Sequence, residues 1–365
     1  MLRKGVLLRV MRNTRVSDNT LLNRGVETLG ARLPNGWRLS LGTPAGSDKP
    51  KDAILTIRGP DGATANLLVE AKRSVSPRQA AETAANLVEG ARKPRAAALL
   101  LISDYLSNLS RSKLHAAGIN YLDLTGNVRI SIDRPALVMQ TQGSDRNPAP
   151  DRRGVRSLKG AKAARIVRAL CDIRPPMGVR QLARLSGTSA GYASRILKLL
   201  LSDDVVQKDP SGRIVQSDWQ NLIRRWSQDY SLAKTNRAIP CLAPRGIADM
   251  VERLSTLPVQ YALTGSLAIP AEASVATGRL AMCYLDDPEQ VATVLGLRST
   301  ETGSNVLLVE PFDPVVYVRA RTEDGLVKVA LTQCAVDLLS SGGRGPAEAD
   351  ALLEWMARNE NAWRT

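Results

Sequence analysis

Several features are scarce in this sequence, and each scarcity excludes a class of protein. No segment approaches the roughly 18 consecutive apolar residues of a membrane-spanning helix, and lysines and arginines interrupt the first 18 residues. We therefore expect neither a membrane span nor a signal peptide. The cysteines are far apart, with no Cys-x-x-Cys spacing, which argues against a zinc site and a disulfide framework; they are Cys171, Cys241, Cys283 and Cys334. We expect a cytoplasmic protein with buried, reduced cysteines.

Histidine is also scarce, since His115 is the only one in the chain. Without a second histidine or a nearby cysteine, it is a poor candidate for a metal ligand or a catalytic base. The chain does contain the material of folded domains, because 44% of its 365 residues are hydrophobic and 23% are charged. At about 100–200 residues per domain, this length predicts two or three domains.

The net charge of +15 is unevenly distributed along the chain. Residues 1–145 carry a net charge of +9, residues 146–245 carry +13 and residues 246–365 carry −7. A basic middle region suits a polyanion, because each phosphate that a protein neutralises releases counterions. The acidic last third suits a basic protein surface instead.

Two changes in composition divide the chain. Gly143–Lys159 is rich in proline, glycine and charge and has no hydrophobic period, as in an exposed linker. Near Ala238–Gly246 two prolines interrupt the pattern and the charge balance reverses. We predict a multidomain α/β (α+β) protein with domains at residues 1–145, 146–237 and 238–365.

The middle domain has the pattern of a DNA-binding module. Helical spacing of apolar residues predicts helices over Ala161–Cys171, Val179–Leu185 and Ala190–Leu201, the last two joined by a tight Ser-Gly-Thr-Ser turn. Two short strands, Val205–Lys208 and Arg213–Val215, follow as a hairpin. This is the element order of a winged helix-turn-helix, whose recognition helix enters the major groove of double-stranded DNA.

The third predicted helix divides into a packing side and an outward side. The packing stripe comprises Tyr192, Ala193, Ile196, Leu197 and Leu200. The outward side holds Ser189, Ala190, Gly191, Ser194, Arg195 and Lys198, and its small residues at the start of the helix let it lie close to the floor of a groove. Arg195 is placed to contact a guanine edge or a phosphate, and Lys198 a phosphate. On the hairpin, Lys208 and Arg213 are placed to touch the DNA backbone or the minor groove.

Two neighbouring helices are expected to pack differently. In the first helix, Arg168 is expected to point away from the apolar side. The amphipathic segment Trp219–Tyr230 is expected to pack the winged domain against its neighbour through its aromatic side. Helix-turn-helix units also serve as protein-interaction modules, but the basic charge and the hairpin favour DNA.

The first domain has the element order of a nuclease fold. Strands are predicted at Asp52–Ile57 and Asn66–Lys72, and a helix at Pro77–Glu89. A strand at Ala96–Ser103 and a helix follow, and a strand, turn and strand over Ile119–Ile132 end the domain. An acid at the start of one strand and Glu-x-Lys at the end of its partner are typical of the PD-(D/E)xK nuclease fold.

The candidate catalytic residues of this domain are Asp52, Glu70 and Lys72. Glu70 and Lys72 share one face of an extended strand, and Asp52 on the neighbouring strand can meet Glu70 across a divalent cation. Mg²⁺ or Mn²⁺ would polarise the phosphate and activate water, with Lys72 holding that water. Glu27, on an upstream helix, would complete the metal shell. Two points count against cleavage. Lys51 separates Pro50 from Asp52, so the Pro-Asp pair of the motif is imperfect. Domains of this fold also occur as DNA-binding or scaffold modules.

The last domain is faintly similar to a nucleotidyltransferase. A strand leads into Gly265-Ser266, and a second strand ends at Asp286-Asp287. That chemistry needs carboxylates that alternate on one strand, whereas consecutive acids face opposite ways. Asp287 before Pro288 is as readily a helix start. We therefore favour an interaction or dimerisation domain, which includes further strands at Val306–Val309 and Val315–Val318.

Five stretches together resemble the AbiEi-like antitoxin and regulator proteins of bacteria: NLLVEAKRSVSPRQ, GINYLDLTGNVRISI, SDWQNLIRRWSQDY, YALTGSLA and LTQCAVDLLSSGGRGPAEADALLEWM. The resemblance implies a nucleoid-associated repressor that binds inverted repeats in a promoter and sometimes neutralises a nucleotidyltransferase toxin. It implies DNA contacts at Arg180, Gln181, Ser189, Ser194, Arg195 and Lys198. The nuclease-like domain ahead of the winged helix departs from the short antitoxins.

Three functions remain open from the sequence. The first is a sequence-specific regulator of transcription that needs no cofactor to bind DNA and acts as a homodimer, since one winged helix reads few base pairs. The second is a metal-dependent DNA endonuclease of a defence system, targeted by the winged helix. The third is an antitoxin that binds a toxin through its C-terminal domain.

Overall fold

The computed structural model describes residues 20–42, 53–90, 98–144, 147–148, 157–274 and 278–365, except the side chains of 84–90. The chain divides into two compact units. The N-terminal unit comprises Met1–Arg153 with Ser202–Asp204, and the C-terminal unit comprises Gly154–Leu201 with Val205–Thr365. Both mix helices with sheets, which confirms the mixed α/β class. None of the described helices is long and apolar enough to cross a membrane.

The N-terminal unit is built on one seven-stranded sheet. A helix α1 over residues 20–30 is followed by β1 Arg38–Gly42, β2 Ala53–Arg58, β3 Thr64–Ala71, α2 Pro77–Gly90, β4 Ala98–Ser103, α3 Asn108–Ala116, β5 Asn120–Asp123, β6 Val128–Ile132 and β7 Leu137–Thr141. The strands lie in sequence order. β3, β4 and β5 are parallel, and the strands outside them are antiparallel.

The sheet of this unit is apolar on both faces. Successive side chains of β4 point to opposite faces: Leu100 and Ile102 join the cluster that includes Leu21 and Leu29 of α1, and Leu101 joins the cluster around α2 and α3. Gly25 permits α1 to approach, since a Cβ there would lie 2.6 Å from Ile102 Cγ2. Helices therefore cover the sheet on both faces, as the buried run of β4 requires.

Two strands of this sheet were not expected from the sequence. β1 is short and mostly exposed, but its sequence alternates polar Arg38 and Ser40 with Leu39 and Leu41, and Leu39 packs against the core. The sequence analysis did not use this alternation. β7 follows Ile132, where we expected the domain to end, and pairs with β6 over its whole length.

The first part of the C-terminal unit is helical. It contains α4 Ala161–Asp172, α5 Val179–Leu185, α6 Ala190–Ser202, the hairpin strands β8 Val206–Lys208 and β9 Ile214–Ser217, α7 Trp219–Ser227 and α8 Leu232–Thr235. α5 has the predicted bounds, and α4 and α6 differ from them by one residue at the C-terminal end. Gly187 takes a φ of +59° in the turn between α5 and α6, a left-handed conformation that glycine adopts without strain.

A second seven-stranded sheet completes this unit. Its elements are β10 Arg237–Leu242, α9 Ile247–Ser255, β11 Tyr261–Thr264, β12 Ala281–Leu285, α10 Pro288–Leu295, β13 Arg298–Ser299, β14 Val306–Glu310, β15 Arg321–Glu323, β16 Leu326–Lys328, α11 Leu331–Leu339, α12 Gly345–Arg358 and α13 Glu360–Trp363. The strand order is β13-β10-β14-β12-β11-β16-β15. Its apolar core lies among β10, β11, β12, β14, α9 and α10.

The strand expected at Val315–Val318 is wrong. Pro314–Tyr317 forms a 3-10 helix instead, because the Asp313 carboxylate accepts a hydrogen bond from the backbone N–H of Val315 and Pro314 begins the turn. Val315 and Val316 are buried there. A valine-rich segment thus contributes to the core without joining the sheet.

Candidate nucleic-acid interface

The first part of the C-terminal unit, residues 157–237, is called the helical segment below. Its third helix, α6, has one buried side and one exposed side. Its buried residues are Ala193, Ile196, Leu197 and Leu200. Arg195 and Lys198 are exposed and Ser194 is half-buried, as expected for the outward side. Ala190 and Gly191 at the start of the helix are also exposed. Side chains this small would let a flat partner approach the helix backbone closely.

The turn before α6 is fixed by short hydrogen bonds. The Ser186 hydroxyl donates to the carbonyl oxygen of Leu182 at 2.7 Å and lies 2.9 Å from the Thr188 hydroxyl. Ser189, a predicted DNA contact, uses its hydroxyl oxygen to accept a hydrogen bond from the backbone N–H of Tyr192 at 3.2 Å. That is the bond of an N-capping residue. Ser189 therefore has a structural role that the sequence analysis did not assign to it.

The exposed cations of α5 and α6 make no ion pair with any acid in the described part of the chain, and the side chain of Arg213 in the hairpin interacts with Asp209 through its charge alone. In the described part of the chain, no ion pair or side-chain hydrogen bond involves Arg180, Gln181, Arg184, Lys198 or Arg213. All five are exposed. The sequence itself explains this, because residues 173–202 contain arginine and lysine but not a single aspartate or glutamate. This acid-free run is a signal that sequence reasoning could have used and did not.

The hairpin β8–β9 is organised by one acid at its turn. Asp209 Oδ1 accepts hydrogen bonds from the Ser211 hydroxyl at 2.7 Å and from the Arg213 backbone N–H at 2.9 Å. The Ser211 hydrogen bond holds the pKa of Asp209 below its usual value. The carboxylate is thus turned to the backbone of the loop, and the side chains of Lys208, half-buried, and Arg213, exposed, make no ion pair among the described residues.

Tyr192, which we expected in the packing stripe, also contacts an exposed residue of α6. It is half-buried, and its ring centroid lies 5.4 Å from Cζ of Arg195, one turn further along α6. A guanidinium at that distance from an aromatic face makes a cation–π contact. Tyr192 therefore supports an exposed arginine in addition to any packing contact.

Another side of the helical segment is buried against the last third of the chain, at helix α11 and the 3-10 helix Pro314–Tyr317. Arg168 of α4, expected to face outward, is 1% exposed. Its guanidinium bonds to Asp172 Oδ2 at 3.1 Å from Nε, to the carbonyl oxygens of Val315 and Val318, and to Gln333 Oε1. All of these except Asp172 lie in the last third of the chain. Periodicity alone cannot place a buried charge, so the sequence analysis did not predict these contacts.

A second buried polar group, the carboxylate of Asp337, also connects the helical segment to the last third of the chain. Asp337 of α11 accepts hydrogen bonds from Tyr230 Oη at 2.8 Å, Tyr284 Oη at 3.0 Å, Gln333 Nε2 at 2.9 Å and Thr264 Oγ1 at 2.6 Å. Burial raises the pKa of Asp337 to about 6, against the opposing effect of these hydrogen bonds. Burial also raises the pKa of the Tyr230 and Tyr284 hydroxyls.

The aromatic side of α7 takes part in the same contact, as the sequence predicted. Trp226 is 1% exposed, and the ring centroid of Trp219 lies 4.9 Å from that of Trp363 in an edge-to-face arrangement.

The four cysteines are also buried and free, which confirms their expected role as small apolar residues.

The candidate nuclease residues of the N-terminal unit are only partly brought together. Lys72 Nζ lies 2.7 Å from Glu70 Oε1 and donates to Thr83 Oγ1 of α2 at 3.1 Å. Glu27 is exposed on α1, and Asp52 lies outside the described residues. Within the described ranges, no group of three His, Cys, Asp or Glu side chains is placed to hold a metal ion. A metal shell of Glu27, Asp52 and Glu70 therefore stays a prediction.

Three acids of the last third, Asp286, Asp287 and Glu348, have structural partners. Asp287 caps α10 by accepting a hydrogen bond from the backbone N–H of Gln290 at 2.9 Å, which confirms the helix start at Pro288. Asp286 accepts from Tyr317 Oη at 3.2 Å. Ser266 donates to the buried Glu348 at 2.5 Å. These residues do not form the paired carboxylates that nucleotidyl transfer requires.

Comparison with known proteins adds little to this geometry. No protein-family model matches the chain, and no curated protein matches it. A solved structure of EndoMS in its apo form matches with 12% sequence identity and a TM-score of 0.20, over 30% of this chain and 45% of that one. The match thus spans less than half the length of EndoMS, and a likeness of this size carries no argument about fold or function.

Proposed function

We propose that the protein is a sequence-specific regulator that binds double-stranded DNA with a winged helix-turn-helix formed by α4, α5, α6 and the hairpin β8–β9. The observation that carries the proposal is the acid-free, exposed cationic face of α5 and α6. Cations without acidic partners are available to phosphates, and each phosphate that they neutralise contributes counterion release. Another side of this segment is packed against α11 and the 3-10 helix Pro314–Tyr317 of the same unit, and the cationic side chains of α5 and α6 are left exposed.

The details of the face fit a duplex. Ala190 and Gly191 allow the start of α6 to approach the floor of the major groove, where Arg195 is within reach of base edges. Arg180, Gln181 and Lys198 flank it as phosphate or base contacts. Arg213 on the hairpin is placed for the backbone or the minor groove. Ser189 acts first as the cap of α6, so its contribution to DNA is through the position of the helix.

The proposal includes a homodimer on an inverted repeat in a promoter, in the manner of the AbiEi-like regulators that the sequence resembles. One recognition helix contacts few base pairs, and specificity in a genome needs more. DNA binding itself requires no cofactor.

The test is an electrophoretic mobility-shift titration of the full-length protein on duplex DNA from the region upstream of its own gene. The double variant Arg195→Ala/Lys198→Ala should weaken binding by at least tenfold. Arg298→Ala is the matched control, because it removes an exposed cation of the same unit outside the helical segment, and it should leave the affinity within twofold. Equal binding by the double variant and the wild type would refute the assignment of this face.

A second candidate function is metal-dependent cleavage of DNA by the N-terminal unit, as in a defence endonuclease. Two observations favour it. The element order is that of the PD-(D/E)xK fold, with a helix, a three-stranded meander, a second helix and a parallel strand. Glu70 and Lys72 also share one face at the end of β3. In this proposal Glu70 would hold Mg²⁺ or Mn²⁺ together with Asp52 and Glu27, and Lys72 would hold the attacking water.

This candidate is tested with supercoiled plasmid in Mg²⁺, Mn²⁺ or EDTA. Nicking should depend on the metal and disappear in Glu70→Gln and Lys72→Met. Glu82→Gln is the control, since it breaks an exposed ion pair of the same unit, that of Glu82 with Arg78 at 2.9 Å. Nicking that survives in Glu70→Gln would exclude this site.

A further inference from the structure

The two exposed cations of α6 are supported differently. Arg195 lies over the ring of Tyr192, with 5.4 Å between Cζ and the ring centroid. Lys198, which follows one turn later, makes no ion pair or side-chain hydrogen bond with any described residue, and its ammonium is exposed. The two residues carry the same charge on the same face of one helix. What differs between them is the aromatic ring beneath one of them.

Orientation matters for an arginine and much less for a lysine. A guanidinium can donate two parallel hydrogen bonds to O6 and N7 of guanine only when its plane is aligned with the base edge. A lysine ammonium is a compact point charge that contacts a phosphate from many directions. A ring that holds the guanidinium in place before binding reduces the conformational entropy lost on binding.

The ring of Tyr192 is itself placed to do this. It is half-buried, while Ala193, its neighbour on α6, is fully buried. Residues three apart on a helix are surface neighbours, so the ring and the guanidinium meet without any change in the backbone. The backbone N–H of Tyr192 is bonded to the Ser189 cap, which fixes the first turn of the helix.

We propose that Tyr192 is a positioning residue that orients Arg195 to read one guanine in each half-site of the DNA target. This inference rests on the proposed DNA-binding function and names the base that the recognition helix selects. Tyr192 acts through Arg195, so its effect is confined to discrimination at that guanine. Lys198 contributes affinity that does not depend on the sequence.

The experiment begins with selection of bound duplexes from a random-sequence library by the full-length wild-type protein. The guanine read by Arg195 is the position at which Arg195→Ala no longer distinguishes guanine from 7-deazaguanine, which lacks the N7 acceptor. Affinities for the selected duplex and its 7-deazaguanine form are then measured for Tyr192→Phe, Tyr192→Leu and Lys198→Gln. Thermal unfolding of each variant checks that the fold is kept.

Tyr192→Phe should keep wild-type discrimination, because it retains the ring. Tyr192→Leu should lose about two- to five-fold of the discrimination at this guanine, the range expected for an exposed cation–π contact, with discrimination at other positions unchanged. Lys198→Gln should weaken binding to both duplexes alike and reduce the slope of log affinity against log salt by about one.

Two results would overturn the inference while leaving DNA binding in place. One is wild-type discrimination in Tyr192→Leu, and the other is a selected motif without a guanine that depends on Arg195. A wild-type protein that enriches no motif and shifts no duplex would instead refute the proposed function, and with it the inference.

Discussion

Arg168 and Arg195 belong to the same helical segment, and their surroundings are opposite. Arg168 is 1% exposed, and its guanidinium is bonded to Asp172, Gln333 and two backbone carbonyls. Arg195 is exposed, makes no ion pair or side-chain hydrogen bond with any described residue, and lies over the ring of Tyr192. A buried charge must be fully paired, whereas an exposed one needs no partner. The comparison separates a side of the segment that holds the unit together from a side that is available to a ligand.

The same contrast applies to the two kinds of ion pair in the molecule. The Arg168–Asp172 pair is almost completely buried, with 3.0 Å between Nη2 and Oδ2. The Lys72–Glu70 pair of the other unit has side chains that are 39% and 34% exposed. Water and salt screen the second pair but not the first. Mutations at the two pairs should therefore have effects of very different size.

The largest expected effect is on the helical segment in isolation. A fragment of residues 157–237 would lose the groups of Val315, Val318 and Gln333 that satisfy Arg168. It would also expose the apolar side of α7, so we expect it not to fold. Residues 157–365 should give a cooperative unfolding transition. Circular dichroism and amide proton dispersion distinguish the two fragments, and a folded 157–237 fragment would break the comparison.

The next effect in size is on the buried arginine. Arg168→Met leaves the Asp172 carboxylate buried without its cation and should lower the free energy of unfolding by about 3–5 kcal/mol. Adding Asp172→Leu removes the uncompensated charge and should restore part of that loss. Urea unfolding of the three proteins measures both steps. A loss below about 1 kcal/mol in Arg168→Met would show that the pair is accessible to water.

A third prediction concerns the pH dependence of stability at Asp337. Burial raises the pKa of this carboxyl from 3.8 to about 6 in the folded protein. Between these values the folded state binds more protons than the unfolded state, so this contribution to stability is present below about pH 4 and is lost as the pH rises to about 6. Because asparagine does not titrate, the stability of Asp337→Asn relative to wild type should increase by about 3 kcal/mol over that range.

Urea unfolding at pH 4 and pH 7 tests this shift. Glu354→Gln, which neutralises an exposed acid of the same unit, serves as the control and should keep a constant difference from wild type. A constant difference for Asp337→Asn as well would contradict a raised pKa at this position.

The smallest effect is expected at the exposed pair. Lys72→Met removes the cation beside Glu70, but because both side chains are partly exposed the free energy of unfolding should fall by less than about 1 kcal/mol. The same urea titration applies. A loss as large as that of Arg168→Met would mean that the contact of Lys72 with Thr83 of α2 carries much more stability than an exposed pair does.

Local sequence patterns predicted the bounds of helices better than they predicted which side chains are buried and what those side chains contact. The bounds of α5 and the aromatic packing of α7 could be predicted because apolar spacing and turn residues are local properties of the chain. The burial of Arg168 could not, since its partners Val315, Val318 and Gln333 come from a distant part of the sequence. The strand expected at Val315–Val318 failed because the cap at Asp313 outweighed the β propensity of valine.

The candidate site shows the same limit. The outward side of α6 follows from its helical period, and the exposed positions of Arg195 and Lys198 agree with it. The support of Arg195 by Tyr192 was hidden, because a tyrosine at an apolar position is first assigned to the core. The division at residues 237–238 stays a prediction; the helical segment and the following sheet lie in one compact unit, held by Asp337 and Arg168.

Hydrogen exchange of the full-length protein with and without duplex DNA tests the account most directly. We expect the DNA to slow exchange at backbone amides of α5, α6 and the hairpin β8–β9, and to leave α4, α7 and α11, which are packed on the buried side, unchanged. Protection confined to the last third of the chain, or no protection at low salt, would contradict the assignment of the exposed cationic face to DNA.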